Sequence, residues 1–159
     1  MHKKFCNFIA FGMLFNLIIG TLLHFVYDWS GKNPIVGLFS PVNESVFEHL
    51  KMLYFPMLIW VIIGYYKYAR KNRSYFSSAF VGLVCGLLTM PIIFYTYTFF
   101  TQTSILFIDI IIFILSIILA YSIFGFIYLN YHWQSLSVKF GIFLWEIVFV
   151  IFTAYYFFQ

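Results

Sequence analysis

The residues of this chain that could do chemistry are few, and they gather in one place. The 159 residues include only five carboxylates and four histidines. The stretch SPVNESVFEHLK, residues 40–51, holds two of the carboxylates, Glu44 and Glu48, together with His49, and the apolar run MLYFPMLIWVIIGYY follows it directly. Carboxylate oxygens and imidazole nitrogens are ligands for Zn²⁺ and similar divalent ions. This stretch is therefore the first candidate for a metal or catalytic site.

The composition indicates that lipid surrounds most of the rest of the chain. Hydrophobic residues make up 64% of the sequence, charged residues make up 9%, and the mean hydropathy is +0.95. A soluble domain carries about a quarter charged residues. We therefore predict an all-α, integral membrane helical bundle whose main partner is the lipid bilayer. Nine basic residues scattered along the chain do not form the basic surface that nucleic-acid binding needs.

Five segments have the length and apolar character of membrane-crossing helices, each near the roughly 20 residues required. Most basic residues precede the first and fifth segments or lie between the second and third. By the positive-inside rule, this distribution predicts a cytoplasmic N-terminus and an external C-terminus. The first segment is longer than the roughly 7–15 apolar residues of a signal peptide, so we expect a retained span. We predict one domain, residues 1–159, with spans at 5–27, 50–66, 78–99, 105–129 and 140–157.

The candidate stretch is predicted to start a helix that leads into the second span. Ser40 is suited to the N-cap and Pro41 to the first helical position. Glu44 would then lie in the first turn, where a carboxylate complements the helix dipole. On such a helix one stripe would carry Glu44, Glu48 and Lys51, with Ser45 and His49 beside it. An alternative interpretation is a solvated interfacial face on which Glu48 and Lys51 pair at i,i+3.

A ridge of small and polar residues runs along the otherwise apolar first span. Gly12, Asn16, Gly20, His24 and Asp28 recur at every fourth position. Small residues at this spacing are typical of close helix packing. The ridge becomes polar toward its outer end, at the depth where the second span begins. We therefore expect His24 and Asp28 to approach the 40–51 stretch.

These patterns predict one polar pocket near the outer membrane face. Ionisable groups within membrane spans are costly and generally face the bundle interior, and Asp109 lies about one turn inside the fourth span. Glu146, in the fifth span, is expected to be protonated or hydrogen-bonded across helices, with Asn16 as its partner. The predicted pocket comprises His24, Asp28, Asn43, Glu44, Ser45, Glu48, His49 and Asp109. Its candidate metal ligands, with zinc as the candidate ion, are His24, Glu44, Glu48 and His49.

Residues 24–56, and above all SPVNESVFEHLKMLYFP, resemble the signature of a family of small bacterial multi-pass membrane proteins catalogued as a domain of unknown function. That signature reads PVNES, an aromatic residue and EHLK, usually with tryptophan where this chain has Phe47. The resemblance implies a multi-pass protein of a bacterial plasma membrane. It supplies no activity, because the family has none assigned.

Several functions fit the predicted pocket. We slightly favour a structural or partner-binding role, in which the polar groups hydrogen-bond the first two spans together. One alternative is a metal-dependent membrane enzyme, in which the ion activates water against a lipid or peptide. Others are a small transporter or proton-coupled carrier with a histidine and carboxylate relay, and a haem site between His24 and His49. Association into a homo-oligomer stays open.

Overall fold

Every element in the described part of the computed structural model is helical, which confirms the predicted all-α class. The structure describes residues 2–70, 74–131, 145–152 and 155. The numbered helices are α1 (His2–Trp29), α2 (Pro34–Gly37), α3 (Val46–His49), α4 (Lys51–Gly64), α5 (Tyr75–Thr101) and α6 (Leu106–Asn130). A π-helical turn, Tyr65–Ala69, follows α4, and residues 145–152 are also helical.

Within the described residues, four helical stretches are long and apolar enough to cross a membrane: His2–Trp29, Val46–Ala69, Tyr75–Thr101 and Leu106–Asn130. They correspond to the first four predicted spans. Half of the predicted fifth span, 140–157, lies outside the described residues, and the described part, 145–152 and 155, is helical. Large apolar side chains such as Phe11, Ile92 and Phe107 are exposed on the outward faces of α1, α5 and α6. Lipid solvates such faces, whereas water would not.

The four stretches alternate in direction, so the end of one helix lies beside the start of the next at each end of the bundle. A Cβ added at Gly12 would meet Trp60 of α4 and Tyr121 of α6, whereas one at Gly20 would meet Met52 and Phe113. Rising numbers on α1 thus match falling numbers on both partners, and α1 is antiparallel to each. The end of α1 and the starts of α3 and α6 therefore share one end of the bundle. We call it the acidic end, because Asp28, Glu44, Glu48 and Asp109 belong to it.

The first three residues of the ridge on α1 pack inside the bundle, as their spacing predicts. Gly12, Asn16 and Gly20 are buried. Pro56 lies inside α4 and has no N–H, so the helix cannot bond the carbonyl of Met52 in the usual way. The Asn16 side-chain amide donates to that oxygen at 3.1 Å. Gly20 allows the approach, because a Cβ there would lie 2.5 Å from the Met52 oxygen. One glycine and one asparagine on α1 thus accommodate a proline-freed carbonyl on α4.

Other interhelical contacts repeat this pattern of a side-chain donor and a backbone carbonyl. Such bonds matter in an apolar interior, where an unsatisfied carbonyl costs several kcal/mol. The indole of Trp60 donates to Phe8 at 3.1 Å, and four tyrosine hydroxyls make equivalent bonds to carbonyls elsewhere in the bundle. These pairs are Tyr54 with Trp145, Tyr68 with Lys4, Tyr75 with Val61, and Tyr128 with Tyr68.

The close packing of α5 on α6 predicts unequal effects of two glycine substitutions. A Cβ at Gly82 would collide with the carbonyl oxygen of Ala120, whereas the nearest atom to a Cβ at Gly125 is Ile9 Cγ1 at 3.4 Å. Gly82→Ala should lower the unfolding free energy by about 1–3 kcal/mol, the usual cost of overpacking. Gly125→Ala should not lower it and should raise it by up to about 1 kcal/mol, because alanine favours the helix more than glycine does. Unfolding of both variants in detergent, followed by circular dichroism, compares them, and equal losses would contradict this packing.

The Asn16–Met52 bond predicts that two substitutions are coupled. Asn16→Ala strands the Met52 carbonyl and should lower the unfolding free energy by about 0.6–2 kcal/mol, the range measured for hydrogen bonds in membrane proteins. Pro56→Ala restores a backbone N–H that can bond the same carbonyl. Asn16→Ala should therefore cost less in a Pro56→Ala background, which a double-mutant cycle of detergent unfolding measures. Tyr121→Phe is the control. Its hydroxyl also donates to Asn16, at 3.3 Å, but this bond does not involve the Met52 carbonyl, so its loss should cost the same in both backgrounds. Strict additivity would refute the account.

Candidate functional site

The helix of the candidate stretch begins after Ser45 and not at Pro41, so the predicted start is wrong. The Ser45 side chain caps α3 by accepting the N–H of Glu48 at 3.3 Å. Asn43 Oδ1 accepts the N–H of Ser45 at 3.0 Å, a local turn that competes with helix. Ser40 instead donates its hydroxyl to Val36 at 2.9 Å, and it closes the segment that contains α2. Residues 41–45 form a non-helical connection, here called the 41–45 turn.

The later start separates the two glutamates that the helical wheel had placed on one stripe. Glu44 lies in the 41–45 turn, where its side chain is 84% exposed, whereas the Glu48 side chain is fully buried. The expectation of one shared face fails because Glu44 is not on the helix. Of the two carboxylates, only that of Glu44 remains available to a group that enters from solvent.

Glu48 forms an ion pair with Lys51 and is not grouped with the histidines, which corrects its place among the candidate metal ligands. Lys51 Nζ lies 2.7 Å from Glu48 Oε2, and neither side chain has any exposed surface. The same ammonium donates to the Gly37 carbonyl at 3.0 Å. Glu48 Oε2 also accepts the N–H of Val42 at 3.0 Å. The buried pair therefore ties the start of the long helix to two points in the preceding segment.

The other candidate metal ligands do come together. Glu44 places one oxygen 3.9 Å from His24 Nε2 and the other 3.5 Å from His49 Nε2. One potential ligand atom from each of the three residues lies within 4.8 Å of the other two. The two imidazole rings are 5.1 Å apart, centroid to centroid. His24 comes from α1 and His49 from α3, so the group spans two helices and the 41–45 turn. We call it the His24–Glu44–His49 cluster.

The ring of His49 is oriented for metal binding. Its Nδ1 lies 2.8 Å from the carbonyl oxygen of Ser45. Because a carbonyl only accepts, Nδ1 carries the proton, and in the neutral ring the Nε2 lone pair faces Glu44. A backbone carbonyl on the second nitrogen is the usual arrangement for a metal-binding histidine. His24 differs, because its Nδ1 is buried without a hydrogen-bond partner in the part of the chain that the structure describes.

The separations within the cluster are wider than those of a bound tetrahedral zinc ion. With ligand bonds of about 2.0–2.1 Å, neighbouring ligand atoms lie about 3.3 Å apart. The distances of 3.5 and 3.9 Å end on different oxygens of Glu44, and with one ligand atom per residue the three atoms lie within 4.8 Å of one another. The exposed Glu44 side chain would therefore have to move closer to the histidines to bind a shared ion. Two histidines and one glutamate would leave one coordination position open. Ligands of this kind and number match catalytic zinc sites as well as structural ones that take a fourth ligand from elsewhere.

The remaining predicted pocket residues lie outside the cluster. Asp28 is exposed near the end of α1. Asp109 accepts a hydrogen bond from Tyr97 on α5, and the same hydroxyl accepts the N–H of Ile105 at 3.1 Å. Asn43 and Ser45 shape the turn and the helix start, as described above. The i,i+3 spacing of Glu48 and Lys51 predicts their pairing on a solvated face, whereas the structure buries both side chains completely.

Glu146 is not bonded to Asn16. It is exposed on the helical segment 145–152. Asn16 instead donates its side-chain amide N–H to the Met52 carbonyl, and its side-chain oxygen accepts a hydrogen bond from the Tyr121 hydroxyl. The Met52 carbonyl and the Tyr121 hydroxyl are thus the partners of Asn16, in place of the expected Glu146.

Comparisons with known proteins give a family but no activity. No curated protein and no solved structure matches the chain. The profile of one family, described as a family of unknown function, matches residues 1–159. Membership of such a family is what the resemblance of residues 24–56 implied. The chain therefore belongs to DUF6512, a family of unknown function.

Proposed function

We propose that this chain is a multi-pass membrane protein that binds one divalent cation, with Zn²⁺ the best fit, at its acidic end. The ligands would be His24, Glu44 and His49. The observation that carries the proposal is the convergence of three ligand atoms within 4.8 Å from separate elements of the fold. Two imidazole nitrogens and one carboxylate oxygen are a donor set typical of zinc, whereas Ca²⁺ and Mg²⁺ prefer oxygen ligands throughout.

An ion pair between Glu44 and a protonated histidine is the competing explanation for the cluster. Pairs at exposed positions contribute only about 0–1 kcal/mol, and Glu44 is 84% exposed. Such a small gain does not account for two histidines from different helices around one carboxylate. The bond from His49 Nδ1 to the Ser45 carbonyl fits both explanations, because a protonated ring also donates from Nδ1. The convergence of the two histidines on one carboxylate is the feature expected of a metal site.

A bound ion would join the end of α1 to the start of α3. Metal bridges of this kind contribute to folding stability, because the preformed ligand set exists only in the folded chain. In this role the ion would hold the acidic end together, a structural function in which a metal bridge replaces the hydrogen bonds expected from the sequence. The ion would also couple the 41–45 turn to α1.

A second candidate function is metal-dependent hydrolysis, favoured by the number of ligands. Three protein ligands leave one position of a tetrahedral ion for water, and two histidines with one glutamate are a known catalytic zinc set. Zinc lowers the pKa of bound water enough to supply hydroxide near neutral pH. Because Glu44 is exposed, the open position would be accessible from outside the bundle. The substrate would be a lipid or a peptide at the membrane surface.

We place the protein in a bacterial plasma membrane with the acidic end outside. The basic residues support this orientation, because Lys3, Lys4, Lys67 and Arg70 belong to the opposite end. There the hydroxyl of Tyr68 donates to the carbonyl of Lys4, so the start of α1 adjoins the π-helical turn. Positively charged ends generally remain in the cytoplasm.

The metal proposal predicts a stoichiometric ion that depends on the cluster. Protein purified without chelators and freed of any histidine tag should contain about one zinc per chain by elemental analysis. After stripping, added Zn²⁺ at 100 times its Kd should raise the unfolding free energy by about 2.7 kcal/mol. His24→Ala, Glu44→Gln and His49→Ala should each reduce the zinc content and this rise.

Asp28→Asn is the matched control, because Asp28 is an exposed carboxylate at the same end but outside the cluster. It should retain zinc and the full stabilisation. A wild-type protein without metal, or a double His24→Ala, His49→Ala variant that still responds to zinc, would refute the proposal. Hydrolytic activity lost in the same three variants would favour the second candidate.

The orientation predicts the outcome of reporter fusions. Fusions at residue 72 and after residue 135 should report the cytoplasm, whereas fusions near residue 33 and at the C-terminus should report the outside, because basic segments resist translocation. Paired phosphatase and fluorescent reporters measure the two locations independently. An external signal at residue 72 would invert the proposed topology, and a cytoplasmic C-terminus would mean an even number of spans.

A further inference from the structure

The segment that carries Glu44 is held from both sides by one residue, Glu48. On the N-terminal side, the Glu48 carboxylate accepts the N–H of Val42 at 3.0 Å. On the C-terminal side, the Glu48 backbone N–H donates to the Ser45 side chain at 3.3 Å. Glu44 lies between these two anchors. Its backbone position therefore depends on where the Glu48 carboxylate is fixed.

Lys51 fixes that carboxylate. Its ammonium lies 2.7 Å from Glu48 Oε2 and donates to the Gly37 carbonyl at 3.0 Å. The ammonium thus connects the carboxylate to the end of α2, on the far side of the 41–45 turn. Residues 37, 42, 48 and 51 form one hydrogen-bonded unit around the segment that bears Glu44. Both charged side chains are fully buried, so water does not compete for these bonds.

Glu44 itself has weak means of holding its position. Its side chain is 84% exposed, and its ion-pair distances to the two histidines are 3.5 and 3.9 Å. A buried ion pair is a poor way to gain stability, because apolar residues of similar size are often at least as stabilising. The pair instead fixes the path of the backbone, because its hydrogen bonds are made to backbone groups of Gly37 and Val42.

We infer that Glu48 and Lys51 are positioning residues that place the Glu44 carboxylate against His24 and His49, and so complete the metal site. This inference rests on the proposed function for its consequence, metal binding. It assigns Glu48 a role through the backbone of the 41–45 turn and not as a ligand. A loss of the pair should therefore remove the Glu44 carboxylate from the ion while leaving both histidines bound.

The first test needs no metal. In the metal-free protein, the exchange rate of the Val42 amide hydrogen, measured by nuclear magnetic resonance in detergent micelles, reports its bond to Glu48. The variant Glu48→Leu, Lys51→Met removes both charges together, so that no buried charge is left alone, and it also removes the side-chain oxygen that accepts the Val42 N–H. Exchange at Val42 should then be at least about tenfold faster. Exchange at Tyr54 in α4 is the control for intact folding and should be unchanged.

The second test follows the ion. Co²⁺ in place of Zn²⁺ gives a visible spectrum that reports its ligands. The double variant should give the spectrum of Glu44→Gln, which lacks only the carboxylate, and should bind about 10–100-fold more weakly than wild type. Adding Glu44→Gln to the double variant should cause no further loss of affinity, because the carboxylate is already displaced. A purely structural role would lower the melting temperature without changing the spectrum.

Glu48→Asp provides a second variant if the double variant does not fold. It keeps both charges but shortens the side chain by one methylene, which should weaken the bond to Val42 and give intermediate exchange and affinity. Unchanged Val42 exchange, or a wild-type spectrum and affinity in a variant with fast exchange, would overturn the inference. Absence of metal from the wild type would refute the proposed function alone, while the exchange rates would still show whether the pair holds the turn.

Discussion

The buried pair of Glu48 and Lys51 is the interaction on which the acidic end depends. Moving two charges out of water costs several kcal/mol per ion, and attraction between them offsets this only when further hydrogen bonds satisfy both groups. Here those bonds come from the backbone, at Gly37 and Val42. The pair can be stable only if the segment before α3 returns to meet it. The path of residues 37–45 is thus a consequence of burying the pair.

The same requirement, a donor for every buried acceptor, governs the contacts between the long helices. Helices in lipid gain little from the hydrophobic effect, and packing and hydrogen bonds must fix their register. In most of the interhelical bonds described above, the acceptor is a backbone carbonyl, and the donor is a tyrosine, tryptophan or asparagine side chain from another helix. Met52 is the clearest case. Pro56 leaves the Met52 carbonyl oxygen without its usual helical N–H partner, and the Asn16 side chain of α1 donates a hydrogen bond to it.

Much of this arrangement is predictable from the sequence. Composition and span length predict the helical class and the first four spans, and four-residue spacing predicts the buried ridge on α1. The approach of His24 to Glu44 and His49 follows from their shared depth. The start of α3 does not follow, because Ser40 with Pro41 and Asn43 with Ser45 are both good helix-start signals. The bond from Val42 to Glu48 favours the second, and it is a tertiary contact that local preferences do not contain.

The wrong start had a further effect on the predicted site. A helical wheel assigns faces only to residues that are on the helix, so an error of five residues in the start put Glu44 and Glu48 on one stripe. In the structure the two carboxylates have opposite environments, one exposed and one fully buried.

The error about Glu146 has a similar origin. Hydropathy shows that the polar side chain of Asn16 needs a hydrogen-bond partner, but it does not show that Pro56 has left a free carbonyl on α4 that serves as that partner.

The level of the cluster depends on the α1–α4 register. Gly20 lies against the Met52 carbonyl, and the two helices are antiparallel. His24 is four residues beyond Gly20, a rise of about 6 Å, and His49 is three residues before Met52, about 4.5 Å in the same direction. The two imidazoles therefore reach nearly the same height, as their 5.1 Å separation requires. A side chain at position 20 would force α1 away from α4 and separate His24 from His49. The glycine that admits a proline-freed carbonyl thus also sets the distance between two candidate metal ligands one turn away.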